Sequence, residues 1–372
     1  MERHFDTIII GAGPAGSACG TALRKNGAEP CLIDKAVFPR NKTCAGLVTK
    51  KTYELISELF DGEASDGLFC AESDELRLYR RTELLTGAPL NRSVRLVNRR
   101  DFDNALVERY KELGGFMLEG ERGYVIDDDS RRLTLKNGDV LSYDKLIYAD
   151  GALSQSRRLV SVDKRKLVFG IEAYVPASLL PQKSVDIYFD FLKDGYIWVF
   201  PHGDTVCVGA AEHFRKHVNY RDVLSSFLRE LGVDPDCARY IGAFLPCGYT
   251  VAQEKLPRHV MLIGDAAGFT DPITGEGLYM ALRSGIDAAQ AALTDTPKES
   301  YLKSVQPLIR IVNEGRKVQH RFYSPAVQAM FFKKARGHEA LVSFLFENMV
   351  EDYHYDYSRM PQLAIDYKKQ KR

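Results

Sequence analysis

The sequence predicts an α/β fold: a discontinuous Rossmann-like domain, interrupted by an inserted antiparallel sheet and followed by C-terminal helices. Three observations predict it. Strand–glycine turn patterns leading towards helices recur at residues 5–25, 144–158 and 259–285. Short β-rich runs with hairpin-like breaks ("PQK", "KDG", "HGD") fill 71–97 and 166–253. Beyond about residue 299 the pattern becomes helical and includes the apolar "EALVSFLFENMV". A chain of 372 residues exceeds one simple core. The Rossmann-like part is read as 1–70, 98–165 and 254–300, the inserted sheet as 71–97 and 166–253, and the helical region as 301–372.

The first element is the apolar run Phe5 to Ile10, read as a buried parallel strand. Gly11, Gly13 and Gly16 then form GxGxxG, followed by Ala15, Ala18 and Ala22 at helical spacing. The first glycine permits the turn, the second admits a pyrophosphate, and the third brings helix and strand together. A second strand ends at Asp34, twenty-three residues after Gly11, where a carboxylate can accept ribose hydroxyls. This predicts a bound dinucleotide without choosing between FAD and NAD. Near the middle, "DKLIYADGALSQSRR" is a strand ending at Asp150-Gly151. Further on, the strand from Val260 to Ile263 runs into Gly264-Asp265, and Gly275-Glu276-Gly277 opens a helix at Leu278. A second GxGxxG is missing, which argues against a built-in NAD(P)H domain.

Within the inserted sheet, "GYIWVFP" carries Tyr196, Trp198 and Phe200 on one face and Ile197 and Val199 on the other. Both faces must therefore be covered. Core packing and an apolar substrate pocket are the competing readings of the aromatic face; Phe331, Phe332, Phe344, Leu345 and Phe346 could extend either.

Bulk properties exclude several classes. A net charge of +1 gives no footprint for nucleic acid. No apolar run approaches the ~20 residues of a membrane span, and "MERHFDTIII" lacks the features of a signal peptide. A cytoplasmic protein is expected. The last fourteen residues hold five Lys or Arg against one Asp, a basic tail that could touch anionic lipid. The seven cysteines show no CxxC or zinc spacing, and His213 with His217 lacks a third ligand, so no metal is expected.

The GxGxxG, "DG" and "GD" segments together resemble the FAD signature of the aromatic-hydroxylase-like flavoproteins, in order and spacing over most of the chain. Within that group the sequence is most similar to the geranylgeranyl reductase family. "KTCAGLV" resembles that family's Lys-x-Cys-Gly-Gly segment, with Ala45 where a glycine is usual. "GYIWVFP" matches its Tyr-x-Trp-x-Phe-Pro motif, and "LIGDAAGFTDPITGEGLYMALRSG" its version of the GD segment. Asp34, where Glu is commoner, and a short C-terminal region depart from the pattern.

The resemblance implies a discontinuous FAD-binding domain with Gly11, Gly13, Ala15, Gly16, Asp34, Lys35, Arg40, Cys44, Ala45, Gly46, Arg99, Gly123, Asp150, Gly264, Asp265, Gly275, Gly277 and Leu278 around the cofactor. Arg40 and Arg99 would lie near the phosphates, with Arg100 the rival of Arg99, and Gly123 at the adenine side. Asp265 would meet the ribityl chain, and Cys44 would stand beside the flavin ring. Tyr196, Trp198 and Phe200 become the wall of a substrate pocket. The activity implied is reduction of C=C bonds in a prenyl lipid or other apolar substrate by hydride from reduced FAD. Cys44 could donate the proton, gate the site or pack there. The electron donor would be external, NAD(P)H or a ferredoxin-like protein, and a lipid substrate would bring transient membrane-surface contact. The same scaffold also carries monooxygenases and halogenases. Rab escort proteins, prenyl carriers without a working flavin site, resemble the fold too, but the intact glycines and aspartates argue against that class.

Overall fold

A computed structural model describes residues 2–62, 66–159, 167–213, 215–351, 357–359, 362 and 367. Two sheets organise it. In the first, the order is β6 (Phe116–Glu119), β2 (Cys31–Asp34), β1 (Glu2–Ile10), β9 (Val140–Tyr148), β8 (Arg132–Leu135) and β7 (Tyr124–Asp127). β1, β2, β6 and β9 run parallel, and β15 (Val260–Leu262) adds parallel to the C-terminal half of β9. The N-terminal half of β9 also pairs antiparallel with β8 on its other side. All five parallel strands end at the same edge of the sheet, where ligands bind in open α/β sheets.

α1 (Pro14–Lys25) follows β1 directly. Proline at its first position lacks an N–H that would be unpaired there anyway, and Arg24 and Lys25 complement its C-terminal dipole. α1 packs on α5 (Leu278–Ala292) through small residues. A Cβ on Gly285 would stand 2.3 Å from the Ala15 carbonyl oxygen, so the two backbones touch. α3 (Arg99–Glu112) begins where the Asn98 side chain accepts from Arg100 N, and Asp101 sits in its first turn.

The second sheet has the order β14 (Arg239–Pro246), β10 (Leu167–Pro176), β13 (Thr205–His213), β12 (Gly195–His202), β11 (Val185–Phe189), β4 (Ala71–Arg80), β5 (Glu83–Leu96) and β3 (Leu47–Val48). It is antiparallel except for β4 and β11, which run parallel. The connection between them passes through the other sheet, and such a long crossover permits a parallel pairing. β3 lies in this sheet although it precedes the inserted stretches read from the sequence.

Ile197 and Val199 face α4 (Tyr220–Glu230), in a cluster with Leu224, Phe227 and Leu228. Trp198 and Phe200 belong to a different cluster on the opposite face. There they meet Phe189, together with Phe332 of α8 (Pro325–Ala335) and Val342 of α9 (Glu339–Glu351). Phe331 and Phe346 pack on its edge, whereas Phe344 lies against Tyr367. The period-2 pattern of "GYIWVFP" thus separates two cores. No helix among the described residues is long and apolar enough to cross a membrane. Most of the basic tail lies outside the described residues.

Candidate functional site

The glycine turn is built as its sequence demands. Gly11 has φ +104, and a Cβ there would lie 2.4 Å from the Ala149 carbonyl oxygen. A Cβ on Gly16 would lie 1.8 Å from the Gly11 carbonyl oxygen. Gly13 caps α1 with no side-chain acceptor on the first N–H groups. Arg40 stands beside it, its Nη2 3.3 Å from where a Gly13 Cβ would be. A helix N-terminus next to a guanidinium and free of side-chain bulk can take a phosphate group.

Asp34 is buried at the end of β2, its two oxygens accepting from Ala12 N and Ala36 N at 2.7 Å each. Each oxygen keeps a lone pair for a further donor. Lys35 follows it. The Lys35 carbonyl accepts from Arg122 Nε at 3.2 Å, which brings Gly123 to the same end of the sheet. Asp150, after β9, accepts from Gln155 N at 2.7 Å through Oδ2, while its buried Oδ1 has no hydrogen-bond partner among the described residues. Burial raises its carboxyl above the usual range. Asp265 accepts from Thr270 Oγ1 at 3.1 Å, and Gly264 N donates to Ser284 Oγ.

Of the two rival arginines, Arg99 turns inward. It pairs with the fully buried Asp103 at 2.7 and 3.0 Å, and Arg40 reaches the same carboxylate at 3.2 Å. Burial opposes the Arg99 charge, but Asp103 and the neighbouring Cys44 outweigh it and hold the guanidinium above its ordinary value. Arg100 is exposed and pairs with Asp101. The Asp103 cluster was legible only as an Arg-Asp spacing of i, i+4.

The Cys44-Ala45-Gly46 turn is pinned from three sides. Cys44 N donates to Glu172 Oε2 at 3.1 Å, Gly46 N reaches Cys44 Sγ at 3.4 Å, and Val97 N donates to the Gly46 carbonyl at 2.9 Å. Gly46 has φ +74, and a Cβ there would collide with the Val97 carbonyl oxygen at 2.2 Å. Ala45 packs on the cluster that holds Trp198 and Phe200. The Gly275 turn joins from the other side, since Tyr196 Oη donates to the Thr274 carbonyl at 2.6 Å. Between Gly275 and Gly277, Glu276 pairs with the buried Lys51 at 2.8 Å and accepts from Thr49 Oγ1 at 3.1 Å. Gly277 then caps α5, with Leu278 its first residue.

The three glycine-rich segments, the Cys44 turn and the aromatic strand therefore meet in one region. Sequence reasoning missed Glu172, Asp103 and Lys51. A lone acid inside "KLVFGIEAYVP" was the available signal for Glu172. The pair His213 and His217 is not helical: His213 ends β13 and bonds Gln319 at 3.3 Å, and His217 lies in an exposed turn. An i, i+4 metal pair therefore does not form, because the strand ends between them.

This fold and site define an FAD-dependent oxidoreductase. The model for the pyridine nucleotide-disulphide oxidoreductases matches residues 5–186. An uncharacterized protein of Methanosarcina barkeri is 32% identical over 77% of this chain and 74% of its own length. The geranylgeranyl diphosphate reductase of Rhodobacter capsulatus is 29% identical over 85% of this chain and 81% of its own. Among solved structures, a geranylgeranyl bacteriochlorophyll reductase-like protein from Thermoplasma acidophilum superposes with TM-score 0.77 at 17% identity, each chain covered 100%. A monooxygenase and halogenases share the same fold. The chain is a flavin oxidoreductase related to the geranylgeranyl reductases. All seven cysteines are free.

Proposed function

We infer that this protein reduces C=C bonds of a prenyl-chain or similarly apolar substrate. The observation that carries the reading is the continuity of the aromatic face with the Cys44 turn. Trp198, Phe200, Phe189 and Phe332 form one cluster against which Ala45, Leu47 and Tyr196 pack. Aromatic walls suit a flexible apolar chain, because rigid rings bury much area at little entropic cost. Relatives named as reductases of geranylgeranyl diphosphate and digeranylgeranylglycerophospholipid support the same class.

The cofactor is FAD, which supplies hydride once reduced. The chain's residues fit it on three observations: a turn that side chains would fill, an α1 N-terminus without a side-chain cap, and an Asp150 oxygen unpaired among the described residues. In this reading the α1 turn and Arg40 hold the phosphates, Asp34 the adenosine ribose, Gly123 the adenine side, and Asp265 the ribityl chain. The segments 44–46 and 275–278 flank the ring. Asp103 fixes Arg99 and Arg40 in place before the cofactor arrives, which lowers the ordering cost of binding. The donor is external, NAD(P)H or a ferredoxin-like protein. A lipid substrate would be met at the membrane surface.

The test is mass spectrometry of prenyl-lipid and quinone extracts after anaerobic incubation with chemically reduced enzyme, with NAD(P)H in a parallel aerobic sample. Gain of two hydrogens per double bond without oxygen is the expected result. Incorporation of oxygen only in the aerobic sample would transfer the protein to the monooxygenase class, whose fold it shares.

A further inference from the structure

Glu172 is an acid where the strand pattern calls for an apolar residue. It sits in the middle of β10 with no solvent exposure. Oε2 accepts from Cys44 N at 3.1 Å and from Tyr174 Oη at 3.0 Å. Oε1 is buried and has no hydrogen-bond partner among the described residues. A buried carboxylate with a bare oxygen is costly, and a neutral acid is the cheaper state.

The register explains why the acid is on the site's side of the sheet. Trp198 of β12 pairs with Gly209 of β13, and Gly209 pairs with Glu172 of β10. All three occupy one cross-strand row. A Cβ on Gly209 would lie 2.1 Å from Trp198 Cε2 and 2.6 Å from its Nε1, so the indole lies across the missing side chain. Trp198 Nε1, on the same row, is directed at the Cys207 side chain. The bare Glu172 oxygen thus lies on the face that also holds the Cys44 turn. A buried polar atom without a partner calls for an explanation, and a catalytic role is one of them.

We propose that Glu172 stores the proton that alkene reduction requires, delivers it to the substrate, and is refilled through Tyr174. The inference rests on the reductase reading given above. FAD, when bound and reduced, would supply the hydride, with its electron pair, for one alkene carbon. Glu172 contributes only H⁺: its O–H bond breaks, a C–H bond forms at the second carbon as the π bond opens, and a carboxylate remains. Tyr174 then returns a proton from water. Its side chain lines a cleft of about 300 Å³ open to solvent, with Asn41, Lys42, Arg99 and Arg239, while its hydroxyl touches Glu172.

The charges around Glu172 suit a group that must gain and lose a proton near neutrality. Burial pushes its carboxyl up to about 7, against the opposing pull of Tyr174 Oη, Cys44 N, Lys42 and Arg99. Cys207 faces it from β13, and burial keeps that thiol well above its ordinary value, hence uncharged. Arg99 is already engaged by Asp103 and does not neutralise Glu172 outright.

The experiment compares wild type, E172Q and Y174F as FAD-loaded enzymes, with geranylgeranyl diphosphate as probe. Infrared titration of the wild type is expected to show a protonated-carboxyl band that fades as pH rises through about 7, and E172Q is expected to lack it. E172Q should bind FAD within about twofold of wild type yet slow anaerobic single-turnover reduction by roughly 100-fold or more. Y174F should retain the band and the first turnover but slow later ones. A wild type with no such band overturns the inference without any variant. So does an E172Q enzyme that reduces the probe at the wild-type rate. A wild type inert toward the probe and toward every alkene in the lipid and quinone extracts overturns the reductase reading itself, and with it the role given to Glu172.

Discussion

Tyr196 donates its hydroxyl proton to the Thr274 carbonyl at 2.6 Å, and so ties the aromatic strand of one sheet to the glycine turn that opens α5 in the other layer. The next residue, Gly275, has φ +72, and a Cβ on it would stand 3.0 Å from the same hydroxyl. Two motifs about eighty residues apart are thereby one structural unit. Y196F should cost about 1 kcal/mol, the net worth of one hydrogen bond. It should also weaken FAD binding severalfold, because the 275–278 turn loses its anchor. Urea denaturation and flavin fluorescence titration measure the two effects. Unchanged FAD affinity would separate the turn from the cofactor.

Asp103 is the residue on which the arginine cluster depends. It is fully buried and serves Arg99 and Arg40 together. D103N should destabilise by about 3–5 kcal/mol, since it leaves a buried guanidinium without its counter-charge. D101N, at the exposed pair with Arg100, should shift stability by less than about 1 kcal/mol. Chemical denaturation of the two variants side by side checks the contrast. Equal effects would mean that Arg99 finds another partner.

Contact between α1 and α5 has no room to spare. G285A places a methyl 2.3 Å from the Ala15 carbonyl oxygen, a backbone atom that cannot step aside. The helices must separate, at a cost of about 1–3 kcal/mol. G123A meets nothing closer than Lys136 at 3.7 Å and should leave stability unchanged. If G123A nevertheless weakens FAD binding, the backbone there approaches the adenine side as inferred. Melting temperature and FAD retention on gel filtration report both outcomes.

Glu172 makes stability depend on pH in a definite direction. Its carboxyl lies at about 7 in the fold against 4.5 in the reference state, so the folded chain holds the proton more tightly. The stabilising contribution is full below about 4.5, declines as pH rises, and is gone above about 7. E172Q, always neutral, should therefore gain on wild type with rising pH, by up to about 3 kcal/mol at pH 8. Near pH 4 the difference should vanish. Denaturation midpoints at a series of pH values measure this. A constant difference would show that the carboxyl does not titrate in that interval.

Much of the molecule was readable from local pattern. The run Phe5 to Ile10, the three glycines after it and Asp34 follow from the covalent needs of one tight turn, and those needs do not depend on distant residues. The alternation in "GYIWVFP" likewise dictates two buried faces, because successive side chains of a strand point opposite ways. What the sequence by itself determined was therefore the nucleotide-binding turn and the two buried faces of the aromatic strand. Tertiary structure decided which charges came together. Asp103 is shared by Arg40 and Arg99 because the loop after β2 and the start of α3 pack side by side. Glu172 meets Cys44 across a sequence separation of 128 residues, and it shares a row with Trp198 only through the register of three strands. Local pattern encodes periodicity; pairing between strands and across layers is a property of the folded chain alone.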